Sequence, residues 1–188
     1  MTMPTFTDGV LAHAASFNAM STGINNLSTY ALGAVPPRAY VPTVRLQRTN
    51  AQTFTTGTNT PVQWDTVNVN NDNMFTLSSP TVINIQTAGS YALDVEFGWS
   101  TSSAGDRVMW GTKNGTSTTA NSVCTDEQHG AALITGRGNT MHIATVMPNC
   151  VVGDTFFVLC FQNSGGSLTN VVAPFQPFSS LSMWRIGP

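Results

Sequence analysis

The feature that most constrains this chain is a strict alternation of apolar and other residues between positions 91 and 99. Apolar side chains occupy every second position of this run, at Tyr91, Leu93, Val95, Phe97 and Trp99. Because successive side chains of a strand point to opposite faces of the sheet, the run predicts a strand with one buried face. The same reasoning places further strands at 63–65, 74–77, 107–110, 141–147, 155–161 and 180–186. Turn sequences separate these short segments, which is typical of an antiparallel sandwich or jelly roll.

The composition excludes several other classes of protein. Only 9% of the 188 residues are charged, against about 25% in an average domain. A mostly helical fold is therefore not expected, because charged residues clothe helix surfaces. The net charge of −2 offers no basic surface for nucleic acid. No apolar run approaches the roughly 20 residues of a membrane span.

Residues 1–33 follow a different pattern, with apolar residues at steps of three and four. This spacing predicts a short amphipathic α-helix that begins after Asp8. The residues assigned to its docking stripe are Val10, Ala14, Phe17, Ile24 and Leu27. Such a helix needs a partner surface, which is the domain's own core, a sister copy or another protein. A Pro-rich linker is predicted at 34–42, and the β-domain follows at 43–188.

The segment 155–161 is apolar on both faces. One face can fill a core, whereas the other needs cover from a neighbouring element or another subunit. We interpret Phe156, Val158 and Cys160 as residues of a subunit interface. The low content of charged residues also favours an oligomer.

No motif for catalysis stands out, so the chain is not expected to be an enzyme. The histidines lack a nucleophile motif around them. The densest group of potential metal ligands lies in residues 124–129, and we interpret this stretch as a solvated loop rather than a zinc site. No metal and no cofactor are expected. The absence of a signal-peptide pattern and of metal-type cysteine spacing predicts synthesis in a reducing cytoplasm.

Trp99 and Trp110 flank a loop rich in Ser, Thr and Gly. Aromatic rings beside polar groups suit stacking against sugars, so these two residues are the candidates for ligand contact. Packing of both rings in the core is the alternative interpretation.

The order of several short motifs over residues 40–188 resembles the jelly-roll domain of tumour necrosis factor and the complement globular heads. The motifs include Thr87-Ala88-Gly89-Ser90-Tyr91, Val152-Gly153-Asp154 and Gln162-Asn163-Ser164-Gly165. The likeness is strongest to the versions that bacteriophage structural proteins carry, and the start of the chain is similar to the leaders of small phage tail proteins. The resemblance implies a ten-stranded antiparallel jelly-roll sandwich, all-β apart from the N-terminal helix, in a homotrimer around a threefold axis.

The resemblance also implies a function. The chain is expected to be a non-enzymatic structural protein of a bacteriophage virion, made in the cytoplasm of the bacterial host. It would dock on other virion proteins through its N-terminal helix, as a minor tail protein of the tail-tip fibre or as a capsid decoration protein. Host attachment through a cell-wall glycan belongs to the same expectation. The alternative is a carbohydrate-binding, lectin-like module, which would not need a docking helix.

Overall fold

The computed structural model describes residues 40–130, 139–171 and 179–188 of the chain. Within these ranges the regular secondary structure consists of β-strands alone, and all strand pairs are antiparallel. The predicted all-β antiparallel class is therefore confirmed. Val41–Pro188 forms one compact unit. The predicted N-terminal helix and its docking stripe lie outside the described residues.

The described residues contain twelve strands. In chain order they are β1 (Thr43–Arg48), β2 (Thr53–Phe54), β3 (Thr60–Pro61), β4 (Thr66–Asn70), β5 (Ile83–Asn84), β6 (Gly89–Gly98), β7 (Asp106–Lys113), β8 (Ser122–His129), β9 (Thr140–Cys150), β10 (Thr155–Gln162), β11 (Leu168–Thr169) and β12 (Ser179–Gly187). Four of them have only two residues. The expected number of ten strands is therefore not confirmed.

The strands form two large sheets that pack face to face around a shared core. The first sheet has the order β4-β1-β12-β6-β9, and the second has the order β3-β10-β7-β8 with β5 also paired to β10. A short ribbon of β2 and β11 completes the described pairing. Neighbours within a sheet are mostly distant in sequence, so the chain crosses between the sheets repeatedly, as it does in a jelly roll.

Strand β6 shows how the sequence pattern becomes a buried face. Its side chains alternate between buried and partly exposed, and the buried ones are those of the predicted run. Gly89 opens the strand at a φ of +152°, and a Cβ there would collide with the carbonyl oxygen of Gly187. The Tyr91 hydroxyl donates a 2.6 Å hydrogen bond to the carbonyl of Thr87. Burial raises the pKa of Tyr91 to about 12.

Aromatic side chains fill one part of the core. The rings of Phe54, Phe97 and Trp99 meet edge to face, with centroids 5.0 to 5.4 Å apart. Such contacts add stability beyond the area that the rings bury. Phe54 comes from the short ribbon, and the other two rings come from the end of β6 and the residue after it. The cluster therefore ties the ribbon to the first sheet.

Two of the predicted strands, at 63–65 and 74–77, are wrong. Both segments belong to connections between strands. Most of their apolar side chains are nevertheless buried, Trp64 to 1% exposure and Met74 to 0%, whereas Leu77 is 59% exposed. Isolated backbone hydrogen bonds hold them, including one of 2.8 Å from Trp64 N–H to the carbonyl of Pro80. These segments are connections with mostly buried apolar side chains and not strands of a sheet.

Candidate functional site

The predicted interface residues of β10 lie inside a single chain. Phe156, Val158 and Cys160 are exposed to 1%, 1% and 0%, and all three belong to the core between the sheets. The assignment of this side of β10 to a subunit interface is therefore wrong. The outward side carries Phe157 and Phe161, which are partly exposed. Strand β10 is apolar on both faces, and the three predicted interface residues lie on the inner one.

The two candidate tryptophans do not share a surface. Trp99 is completely buried, and its indole N–H donates to the sulfur of Met141 at 3.1 Å. Its assignment to ligand contact is therefore wrong, because its ring belongs to the core cluster. Trp110 lies on the outward side of the second sheet, partly exposed, with its ring edge to face against Phe161 at 6.3 Å. Only Trp110 can meet a ligand without a change in the core.

Residues 124–129 are part of β8 and not of a loop, so the loop interpretation is wrong. Cys124 packs partly against the core, and this burial raises its pKa to about 11. The Asp126 carboxylate accepts the backbone N–H of His142 on β9 at 3.1 Å. It thereby links the edge of the second sheet to the edge of the first. No group of three His, Cys, Asp or Glu side chains suited to a metal occurs in the described ranges.

A buried arginine organises the turn that precedes β7. Arg107 is only 1% exposed, and its guanidinium donates to the carbonyls of Ser102, Ala104 and Gly105 at 2.9 to 3.0 Å. Burial lowers the pKa of Arg107. All three partners are backbone carbonyls of the turn, so the role of Arg107 is to stabilise the conformation of this turn.

Next to Arg107 in the chain, the Asp106 carboxylate contacts both Asn163 and His129. Hydrogen bonds from Asn163 and then from His129 lower the pKa of Asp106. This cluster holds together the ends of β7, β8 and the turn after β10.

The outward side of the first sheet presents a continuous surface. The strand register aligns its side chains in three rows across β1, β12, β6 and β9. The first row has Thr43, Trp184, Ala92 and Val146, the second has Arg45, Ser182, Asp94 and Ala144, and the third has Gln47, Ser180, Glu96 and His142. These residues are termed the exposed face, because each of them is at least partly exposed. Their neighbours along the strands point into the core, as the burial of Val44, Leu93 and Leu181 shows.

One end of the exposed face is apolar. Trp184 is 37% exposed and Val146 is 54% exposed, with the small Ala92 between them in the same row. Ile186, the next outward residue of β12, is 51% exposed. The other rows combine the small side chains of Ser180, Ser182 and Ala144 with longer polar and charged ones. A sheet face with an apolar end is suited to packing against another protein surface.

The other end of the exposed face carries charge. The Nε2 atom of His142 lies 3.2 Å from Oδ1 of Asp94. Glu96 is the register partner of His142, so a second carboxylate stands beside the same imidazole. Arg45 occupies the same row as Asp94, separated from it by Ser182.

Sequence reasoning did not single out the exposed face. Its apolar members come from three separate strands, and only the register brings them into one row. One local signal was present, because Trp184 and Ile186 fall on the side of β12 opposite to Leu181 and Met183. Two large apolar residues on the side of a strand that otherwise carries serines indicate a surface that is not purely solvated.

Comparison with known proteins identifies the fold. No protein-family profile and no curated protein matches the chain. Crystal structures of murine APRIL at pH 5.0 and pH 8.0 match with a TM-score of 0.57 and 12% identity, over 78% of this chain and 100% of that chain. The structure of Eiger TNF from S. frugiperda matches with a TM-score of 0.51 and 12% identity, over 78% of this chain and 93% of that chain. At this identity the likeness concerns the fold alone, and the chain has a jelly-roll fold similar to that of tumour necrosis factor.

The part of the chain that the structure describes contains no helix long and apolar enough to cross a membrane.

Proposed function

We propose that this chain is a non-enzymatic structural protein of a bacteriophage virion, which assembles as a homotrimer through its jelly roll. The observation that carries the assembly step is the apolar end of the exposed face, where Trp184 and Val146 stand in one row. Because each side chain is already partly buried, covering one of them stabilises a contact by roughly half of the 1.5–3 kcal/mol that complete burial gives. The motif resemblance to trimeric jelly rolls supports three copies rather than two.

In this proposal the exposed face takes the role that the sequence had assigned to β10. The inner residues of β10 fill the core of their own chain and have no area left to offer a second copy. The first sheet, in contrast, leaves a whole face uncovered by other described residues of the same chain. A contact with Trp184, Ala92 and Val146 at one end and charged groups at the other combines apolar and polar area, as protein interfaces do.

The virion role is supported by the sequence. The motif resemblance is strongest to phage structural proteins, and the segment 1–33 carries a stripe of apolar residues suited to docking. Three N-terminal segments on one trimer would bind a particle with higher avidity than a single copy. The docking site is a tail-tip fibre or a capsid shell, and the jelly roll would then face outward, where it can contact the host surface.

Two matched substitutions test the assembly step. Val146 lies on the exposed face and is 54% exposed, whereas Val152 lies in the turn before β10 and is 63% exposed. We expect Val146→Lys to give a folded monomer, because a lysine at this site would be buried without a partner in the trimer. We expect Val152→Lys to remain a trimer. The molar mass from light scattering and the far-ultraviolet circular dichroism of both variants check this. A trimeric Val146→Lys variant would contradict the proposal.

A carbohydrate-binding module remains the second candidate, and one observation favours it. Trp110 is partly exposed on the outward side of the second sheet, with Thr125 beside it in the register. An aromatic ring next to hydroxyl groups can stack on a sugar ring. Binding of purified host cell-wall polysaccharide by the wild type and its loss in Trp110→Ala would support this role. Equal retention of both proteins on the polysaccharide would contradict it.

A further inference from the structure

The charged end of the exposed face places one histidine among several carboxylates. On β6, Asp94 lies 3.2 Å from the His142 imidazole, and Glu96 is its register partner. On β8, Asp126 accepts the backbone N–H of His142 at 3.1 Å. The residues of β12 in the same rows are serines, and the nearest described cation across the face is Arg45 on β1.

The charges of this end do not balance when the imidazole is neutral. The exposed face then carries two carboxylates, Asp94 and Glu96, against the single guanidinium of Arg45, and Asp126 of β8 adds a third carboxylate beside His142. In a homotrimer three such faces are brought together and partly lose their water, so the unpaired negative charge is costly. Protonation of His142 supplies the second positive charge, directly at Asp94. Imidazoles change charge between about pH 5 and 8, so this balance can be altered under ordinary conditions.

We propose that His142 makes self-association through the exposed face dependent on pH, so that the trimer becomes tighter as the pH falls from about 8 to about 5.5. This inference rests on the proposed trimer and adds a regulation to it. Association takes up protons, because a protonated imidazole stabilises the contact more once a second copy has covered the carboxylates beside it. By linkage, a lower pH then favours the assembled state.

Three other titratable groups of the described ranges do not offer the same response. Hydrogen bonds outweigh the effect of burial and hold the pKa of both Asp65 and Asp154 at about 2, so these carboxylates stay ionised throughout this range. His129 is the other described histidine, and it contacts Asp106 on the second sheet. His129 is therefore a matched control, because it is also an exposed histidine beside an aspartate but lies outside the exposed face.

The test uses the full chain in four forms: wild type, His142→Gln, His129→Gln and His13→Gln. The third substitution covers the histidine that lies outside the described residues. Sedimentation velocity with a fluorescent label, over a dilution series at about pH 8 and about pH 5.5, gives the concentration at which half of the chains are assembled. Subunit exchange between two differently labelled samples is measured at both pH values. The exchange rate shows the stability of the trimer even if it does not dissociate on dilution.

For the wild type we expect the half-assembly concentration to be about tenfold lower at the lower pH, with slower subunit exchange. His142→Gln should lose most of this difference, whereas His129→Gln and His13→Gln should keep it. A wild-type trimer without a pH effect, or an effect that persists in His142→Gln, would overturn the inference and leave the trimer in place. A wild-type chain that is monomeric at both pH values would overturn the trimer itself.

Discussion

Val158 provides a quantitative test of how β10 is oriented. Its side chain is 1% exposed and lies in the core between the two sheets. Replacing it with aspartate removes an apolar side chain, at a cost of roughly 2 kcal/mol. A carboxyl group at a fully buried site has its pKa raised by about 3 to 5 units. At pH 7 this costs about 4 kcal/mol, because a buried group whose pKa lies above the pH takes up a proton and a further shift adds nothing.

The combined cost of Val158→Asp is thus about 6 kcal/mol, within the range of the whole stability of a typical domain, about 5–15 kcal/mol. We therefore expect the variant to be largely unfolded as a single chain, whatever its assembly state. The control is Val123→Asp, on β8 of the same sheet, where the side chain is 39% exposed. It should change the free energy of unfolding by less than about 1 kcal/mol.

Urea unfolding followed by far-ultraviolet circular dichroism gives these free energies, and light scattering gives the mass of each variant. A Val158→Asp variant that is folded, and that differs from the wild type only in being monomeric, would refute the reasoning. That result would mean that this side of β10 faces a partner copy and not the core.

Three further predictions concern a glycine, a carboxylate and the N-terminal segment. Gly89→Ala should lower the free energy of unfolding by about 2 kcal/mol or more, because the new Cβ would collide with the Gly187 carbonyl; an unchanged urea midpoint would contradict this. Burial alone would raise the pKa of Asp154, but hydrogen bonds from Lys113 and two further donors lower it to about 2. Asp154→Asn should therefore cost about 2 kcal/mol at pH 7, and this difference should shrink as the pH falls from about 4 towards 2, where the wild type takes up the proton; a difference independent of pH would contradict it. Removal of residues 1–33 should leave a folded trimer that is absent from purified particles on immunoblots, and incorporation of the truncated chain would contradict docking.

The class of fold was predictable from the sequence because its signal is local. The alternation that begins at Tyr91 needs only neighbouring residues to be recognised, and the turn sequences around it are equally local. The buried sides of β6 and β12 follow directly from this alternation. The loop interpretation of 124–129 failed for a different reason. Strand β8 is an edge strand with polar side chains on much of both faces, so its sequence resembles a loop.

The site was harder to predict because it depends on contacts between distant parts of the chain. Which side of β10 faces inward is decided by its register with β7, where Met109 is paired with Cys160 and both are buried. The burial of Trp99 depends on Phe54, which lies far away in sequence. The row of the exposed face that contains Trp184 is assembled only by the pairing of four strands.

The most direct test of the proposed assembly is the molar mass of the purified full chain in solution, measured by light scattering over a range of concentrations. Self-association through the exposed face, with the three copies that the motif resemblance indicates, predicts the mass of three chains of 20.0 kDa each. A mass of a single chain at every concentration would contradict self-association through this face.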